Sequence, residues 1–244
     1  MSTAGGRVRR FRLLVANAYL VFDPDVRHRE GPRNQSESSR VGDNAEVVLV
    51  DAGMPWDRDK LLTGLAASGL DARDVDRVLL THYDMDHVGT LATLGLREDV
   101  PIHAAEPDAS YLSGRSKPPL LSHKGAAQRL STPLLDRPTN PIDVVHDGDR
   151  IGGFVAYKTP GHTPGHTAYV HDELGVAFVG DMVRESDGRL VPAPWILTDD
   201  TDQNRQSIRA FVARCPPVDV VAMGHGDPIL EYGYGALKRV ADRA

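Results

Sequence analysis

Four residues able to bind a metal stand within six positions: His82, Asp84, Asp86 and His87. They come directly after residues 75–81, an apolar stretch rich in valine and leucine that reads as a strand. A strand-to-helix turn can aim all four at one spot. Carboxylates gathered there without partners would be costly to bury. A divalent cation, or a pair of them, answers that need. The plainer alternative is a solvated acidic loop in which one Asp caps the following helix.

A second cluster lies in Thr159-Pro160-Gly161-His162-Thr163-Pro164-Gly165-His166. Its prolines and glycines fix a tight turn that carries two histidines. Taken alone, this suits a rigid loop with surface histidines equally well. Asp181 follows an apolar run that ends in Gly180, and His225 follows another that ends in Gly224. Singly, an Asp or His at a strand end is commonly a cap or a satisfied polar group. Together they form a loose two-fold echo. In each half an apolar strand ends in Asp (Asp51, Asp181) and a later one ends in His (His82, His225). The ends of buried strands are where α/β proteins place their chemistry.

Several elements must position these residues. Residues 12–22 read as one strand and 45–50 as a buried strand. Residues 57–70 read as a helix with Leu61, Leu62, Leu65 and Ala66 on one face. A helix is expected at 88–94 and a short strand at 100–104. Residues 149–159 and 167–171 look like antiparallel strands around the Pro-Gly turn. Buried strands follow at 176–179 and 218–223, with helices at 201–212 and 235–243. Residues 23–44 are polar and read as a long loop or insertion. Residues 112–141, rich in Ser, Pro and Lys, suit a lid or pocket segment.

Composition narrows the function classes. A chain of 244 residues allows one large domain or two small ones. Its 41% hydrophobic and 25% charged content is that of a soluble globular protein. The net charge of −6 lacks the basic excess of a nucleic-acid binder, so no nucleic-acid partner is expected. No apolar run approaches the roughly 18–20 residues that span a bilayer, so no membrane partner is expected either. The apolar run at 13–22 is broken by Asn17 and lacks a small-residue cleavage site. It makes a poor signal peptide, and a cytoplasmic location is expected. The lone cysteine, Cys215, excludes an internal disulfide and a Cys-based metal cluster.

The order of these motifs resembles the metallo-β-lactamase superfamily. Its hallmark is H-x-H-x-D-H, then a PGHT-type His, then an Asp after a strand, then a late His. Here these read His82-x-Asp84-x-Asp86-His87, His162, Asp181 and His225, and the resemblance spans roughly residues 12–228. It implies an α/β (α+β) fold, the αββα four-layer sandwich, as a single domain over residues 1–244. It also implies two divalent metal ions, zinc first. One would be held by His82, Asp84 and His162, the other by Asp86, His87 and His225, with Asp181 bridging. His162 rather than His166 would be the ligand of the Pro-Gly turn, with His166 behind it or in the pocket wall. Asp51 would orient a ligand histidine.

One position departs from the pattern. Asp84 stands where the family usually has its second histidine. A carboxylate is shorter and harder than imidazole and shifts the preference toward Fe or Mn. The flavodiiron branch carries a Glu at this place, so an acidic ligand is compatible with two metals. If Asp84 does not reach, the first site is weak or empty.

Hydrolysis is the expected reaction. Two cations roughly 3.5–4 Å apart generate hydroxide near neutral pH and polarise a carbonyl or phosphoryl oxygen. Asp86 would be catalytic, orienting the hydroxide and carrying its proton toward the leaving group. The substrate would be a small molecule with an ester, lactone, thioester or related bond. Secreted β-lactamases need a signal peptide, which disfavours that activity. Only 19 residues follow His225, so the C-terminal substrate domain of hydroxyacylglutathione hydrolase is not expected. Met182-Val183-Arg184 lacks the Tyr that acyl-homoserine lactonases carry past the bridging Asp. The alternatives are a flavodiiron-like oxidoreductase with a separate electron donor, and a non-catalytic metal-binding protein. His28, His103, His123, His146 and His171 lie outside any motif. Tyr83 suits pocket or packing, and Trp195 is read as packing.

Overall fold

The computed structural model describes residues 2–3, 5–24 and 45–244. The polar insertion expected at 23–44, His28 included, lies outside the described residues apart from Asp23 and Pro24.

The seven-stranded sheet runs in sequence order: β1 (Ser2–Thr3), β2 (Val8–Arg12), β3 (Asn17–Asp23), β4 (Glu46–Val50), β5 (Arg77–Leu79), β6 (Ile102–Ala105) and β7 (Ile142–Val145). Its later members, β4 to β7, pair in parallel. Four strands of the second sheet are β8 (Arg150–Ile151), β9 (Phe154–Lys158), β10 (Thr167–His171) and β11 (Val176–Gly180). A separate hairpin, β12 (Val183–Ser186) with β13 (Arg189–Pro192), follows. Strand β14 (Val220–Met223) then returns parallel to β11 at the edge of the second sheet.

Alternation along the strands builds the layers. In β4, Val48 and Val50 join the core between the sheets, where they meet Phe154, Tyr169 and Phe178. Val47 and Leu49 of the same strand face outward, onto Leu61 and Leu65 of α1 (Arg58–Ala67). In β11, Val176 and Phe178 face inward. Ala177 and Val179 face Ile208 and Phe211 of a C-terminal helix. A helix layer, two sheets and a second helix layer result. The central strands read as unbroken apolar runs because both of their faces are buried.

The remaining helices are α2 (Met85–Val88), α3 (Asp108–Ser113), α4 (His123–Ser131), α5 (Thr201–Arg214) and α6 (Gly233–Ala241). Two expectations need correction. Residues 12–22 are not one strand. β2 turns at residues 13–16 and returns as β3, and Asn17 Nδ2 ties the turn to the carbonyls of Met223 and Gly226. The helix expected at 88–94 is instead the single turn α2. Val88 at its end, and Leu91 and Leu94 from turns beyond it, point into the core. The segment 112–141, expected as a lid or pocket segment, contains the regular helix α4, whose pattern runs against the usual one. Lys124, Gly125 and Gln128 are its buried face, and Leu130 is exposed.

Two polar staples join the sheets. At one end the fully buried Asp23 of β3 meets His171 of β10, 3.1 Å apart. At the other end Asp108 begins α3 and accepts hydrogen bonds from Tyr83 N (2.8 Å), Thr163 Oγ1 (2.7 Å) and Gly165 N (2.9 Å). It thereby clamps the loop after β5 to the Pro-Gly turn. Burial pushes its carboxyl up to about 6. Asp108→Ala would leave three buried donors without an acceptor, at about 1–3 kcal/mol for each group not rescued by water. We expect a loss of about 3 kcal/mol in urea unfolding. An unchanged midpoint would remove Asp108 from this role.

Candidate metal centre

All seven residues expected to hold metal converge at one end of the two sheets. His82, Asp84, Asp86 and His87 come from the loop after β5 and the single turn of α2. His162 comes from the turn between β9 and β10, Asp181 from the end of β11 and His225 from the end of β14. Each sheet therefore supplies part of the set.

Two trios form. In the first, Asp84 Oδ2 lies 3.3 Å from His82 Nε2 and 3.1 Å from His162 Nε2. In the second, Asp86 Oδ2 lies 3.3 Å from His225 Nε2 and 3.9 Å from His87 Nε2. Asp181 stands between them. Its Oδ2 is 3.6 Å from His162 Nε2 and 2.9 Å from His225 Nε2, and its Oδ1 is 3.5 Å from His87 Nε2.

The backing hydrogen bonds aim the Nε2 lone pairs inward. His87 Nδ1–H donates to Asp51 Oδ2 at 2.8 Å. Thr81 donates from its hydroxyl to the same oxygen, so its own oxygen accepts the Nδ1–H of His82 at 2.9 Å. Asp51 thus orients His87 directly and His82 through Thr81. To do so it adopts a left-handed backbone, φ +59°, at the end of β4. His225 Nδ1–H donates to the Val15 carbonyl at 3.0 Å.

His166 stands outside both trios. Its Nε2 accepts the Asp181 N–H at 3.1 Å, and its Nδ1–H donates to Thr159 Oγ1 at 2.8 Å. Both ring nitrogens are used, and burial holds the imidazole neutral. The neighbouring Gly180 has φ +48°, and a Cβ there would lie 2.6 Å from His166 Nε2 and 2.8 Å from Thr81 Cβ.

Three buried atoms at the centre, His82 Nε2, His87 Nε2 and Asp181 Oδ1, have no hydrogen-bond partner among the described residues. Buried polar atoms are rarely left so. The donor set of imidazoles and carboxylates is that of a divalent transition metal, and the residues fit such an ion. The protonation pattern agrees. Burial opposes charge on His87, but Asp51, Asp181 and Asp86 outweigh it and raise the pKa to about 9. Burial likewise opposes charge on His225, which Asp181 and Asp86 raise to about 11. Burial and the neighbouring His87 lower His82 to about 4. The carboxylates attract positive charge to this point from whatever source offers it.

One functional side chain escaped the sequence reading. Lys124 of α4 hydrogen-bonds Asp84 Oδ2 through Nζ, 3.1 Å from His162 Nε2. Gln128, one turn on, donates to Asp84 Oδ1 at 3.0 Å and to the Tyr83 carbonyl at 2.6 Å. Burial would raise the Asp84 pKa, yet Lys124 and the two histidines hold it well below the carboxylate range. The available signal was the spacing of Lys124 and Gln128, which puts both on one helical face. Trp195 is exposed, on a short segment that ends where Asp199 N binds the His162 carbonyl.

The family model of the metallo-β-lactamase superfamily matches residues 31–225. The probable metallo-hydrolase YflN of Bacillus subtilis is 27% identical over 238 residues, covering 88% of this chain and 82% of that protein. The hydroxyacylglutathione hydrolase GloC of Haemophilus influenzae is 28% identical over 159 residues, covering 57% of this chain and 72% of its own. The solved structure of TTHA1623 in a di-iron-bound form is 25% identical and superposes with a TM-score of 0.63, covering 96% of this chain and all of that one. No helix among the described residues is long and apolar enough to cross a membrane. With two facing sheets, flanking helices and an Asp/His cluster at their shared end, this chain has the metallo-β-lactamase fold and belongs to the metallo-β-lactamase superfamily.

Proposed function

We propose that the chain is a metal-dependent hydrolase of a small-molecule ester, thioester or lactone. In this reading His87, His225, Asp86 and Asp181 hold a divalent cation, zinc first, and His82, Asp84 and His162 form the adjoining position. The observation that carries it is the set of buried, unpartnered ligand atoms at the meeting point of the two sheets. The hydrolase names of YflN and GloC support the reaction class.

A bound cation would supply an acidic water and draw electron density from the substrate carbonyl. The protein does the rest. Asp86 is the more accessible of the central carboxylates, with a side chain 22% exposed against 7% for Asp181. It is ionised at neutral pH, its pKa lowered by His87 and His225 against the effect of burial. Asp86 takes a proton from the attacking water and returns it to the departing oxygen or sulfur. Asp181, held through its backbone by His166, keeps its carboxylate between the trios.

The rim favours an apolar substrate group. Leu14 and Val15 are exposed beside His225, and Trp195, Ile196 and Leu197 are exposed on the His162 side. Apolar side chains on both flanks suit an acyl chain or apolar alcohol better than a phosphoester. The redox alternative fits less well, because Lys124 and Gln128 engage the carboxylate that would favour iron.

Four outcomes test the reading. A panel of acyl thioesters, lactones and aryl esters should show metal-dependent turnover. Asp181→Ala should lower it at least a hundredfold and shed metal on desalting, by analogy with other unit-acting catalytic groups. Retained turnover would sink the assignment. Trp195→Ala should raise KM for long-chain esters roughly tenfold with kcat little changed. Equal effects on acetyl and long-chain esters would dismiss the rim. At pH 7 the metal-free His87 and His225 carry protons, their pKa values being about 9 and 11. Binding a cation must expel them, so apparent affinity should rise with pH. Calorimetry in two buffers of different ionisation enthalpy should register released protons.

A further inference from the structure

The two trios are not equivalent. Among the described residues the second trio has only histidines as its positive partners. The first already holds the side-chain nitrogen of Lys124. We infer that the Lys124 ammonium takes the place of a metal ion in the first trio, so that this chain binds one divalent ion, in the second. The inference rests on the metal-dependent reading above and sets its stoichiometry.

Four observations carry it. Lys124 Nζ touches two of the three first-trio ligands, Asp84 and His162. The lysine is 7% exposed, and a charge so buried is retained only where a partner neutralises it. Both Asp84 oxygens are engaged from one face of α4, Oδ2 by Lys124 and Oδ1 by Gln128. The helix is built to deliver them, since Ser122 caps its first turn by accepting the Gly125 N–H at 3.0 Å. A divalent ion in this trio would share one carboxylate oxygen with the ammonium, and like charges at such a distance repel strongly away from water. His82 Nε2, which Lys124 does not reach, groups with His87 and Asp181 and stays available to the remaining ion.

This accounts for the departure at position 84. A carboxylate with a lysine against it carries no net charge, as an imidazole does, and makes no demand for a second metal. Lys124 also presents a fixed positive charge at the cleft, 3.1 Å from a ligand histidine.

The test is a metal count. The full chain is stripped with chelator, incubated with excess Zn2+, desalted and assayed by elemental analysis. We expect one zinc per chain in the wild type and two in Lys124→Ala. Lys124→Met serves as a second variant, and near-UV circular dichroism checks that each is folded. Two zinc ions in the wild type would overturn the inference and leave the hydrolase reading standing. One zinc in both folded variants would overturn it too, because Lys124 would not be what excludes the second ion. A wild type that holds none would take down the metal-dependent reading and this inference together. Should neither variant fold, the wild-type count alone decides.

Discussion

Buried negative charge is the constraint on which this molecule depends. Asp51, Asp84, Asp86, Asp108 and Asp181 crowd the end where the two sheets meet, four of them almost wholly out of water. Left alone, such a group would be intolerable to the fold. Each is met by a different device. Asp51 receives Thr81 and His87, Asp108 receives three donors from two loops, and Asp84 receives a lysine and a glutamine. Among the described residues Asp86 and Asp181 are met by histidines alone, and there the arrangement remains short of positive charge. The chemistry proposed for the chain follows from that shortage.

The apolar architecture exists to hold this arrangement still. Strands β4, β5, β11 and β14 are buried on both faces, and each ends near a residue that belongs to or supports the candidate site. Three separate apolar clusters grip them from above, between and below. A strand so held does not slide, and the residue after its last hydrogen bond inherits its rigidity. Flexible loops would position the same side chains far less well.

Much of this was legible in the sequence, and for physical reasons. The runs EVVLV and VAFVG could only be strands buried on two sides, and their terminal Asp residues stand where such strands put chemistry. Ligand types in a fixed order made the site readable without coordinates. Three features were not. The turn at residues 13–16 is set by Asn17 reaching the far sheet, a contact more than two hundred residues away in the chain. Asp108 is an ordinary Asp at the start of a short helix, and nothing local marks its three donors as distant. Helix α4 hid because its buried face is Lys124 and Gln128. A pattern search for apolar periodicity looks for the opposite. Polar residues turned inward announce themselves only when the partner, here Asp84, is seen opposite them.

At Gly180 the absence of a side chain has a consequence beyond strand geometry. His166 of one sheet and Thr81 of the other both crowd the space a Cβ would take, and Thr167 N donates to the Thr81 carbonyl at 2.8 Å beside it. The spacing of the two sheets is therefore set at the same point where Asp181 is placed. One sheet supplies His82, Asp84, Asp86 and His87, and the other supplies His162, Asp181 and His225. The candidate metal centre is in effect a gauge of how far apart the sheets stand. A core substitution that swells the interior by a methyl group, remote from every ligand, would be read there as a change in bite.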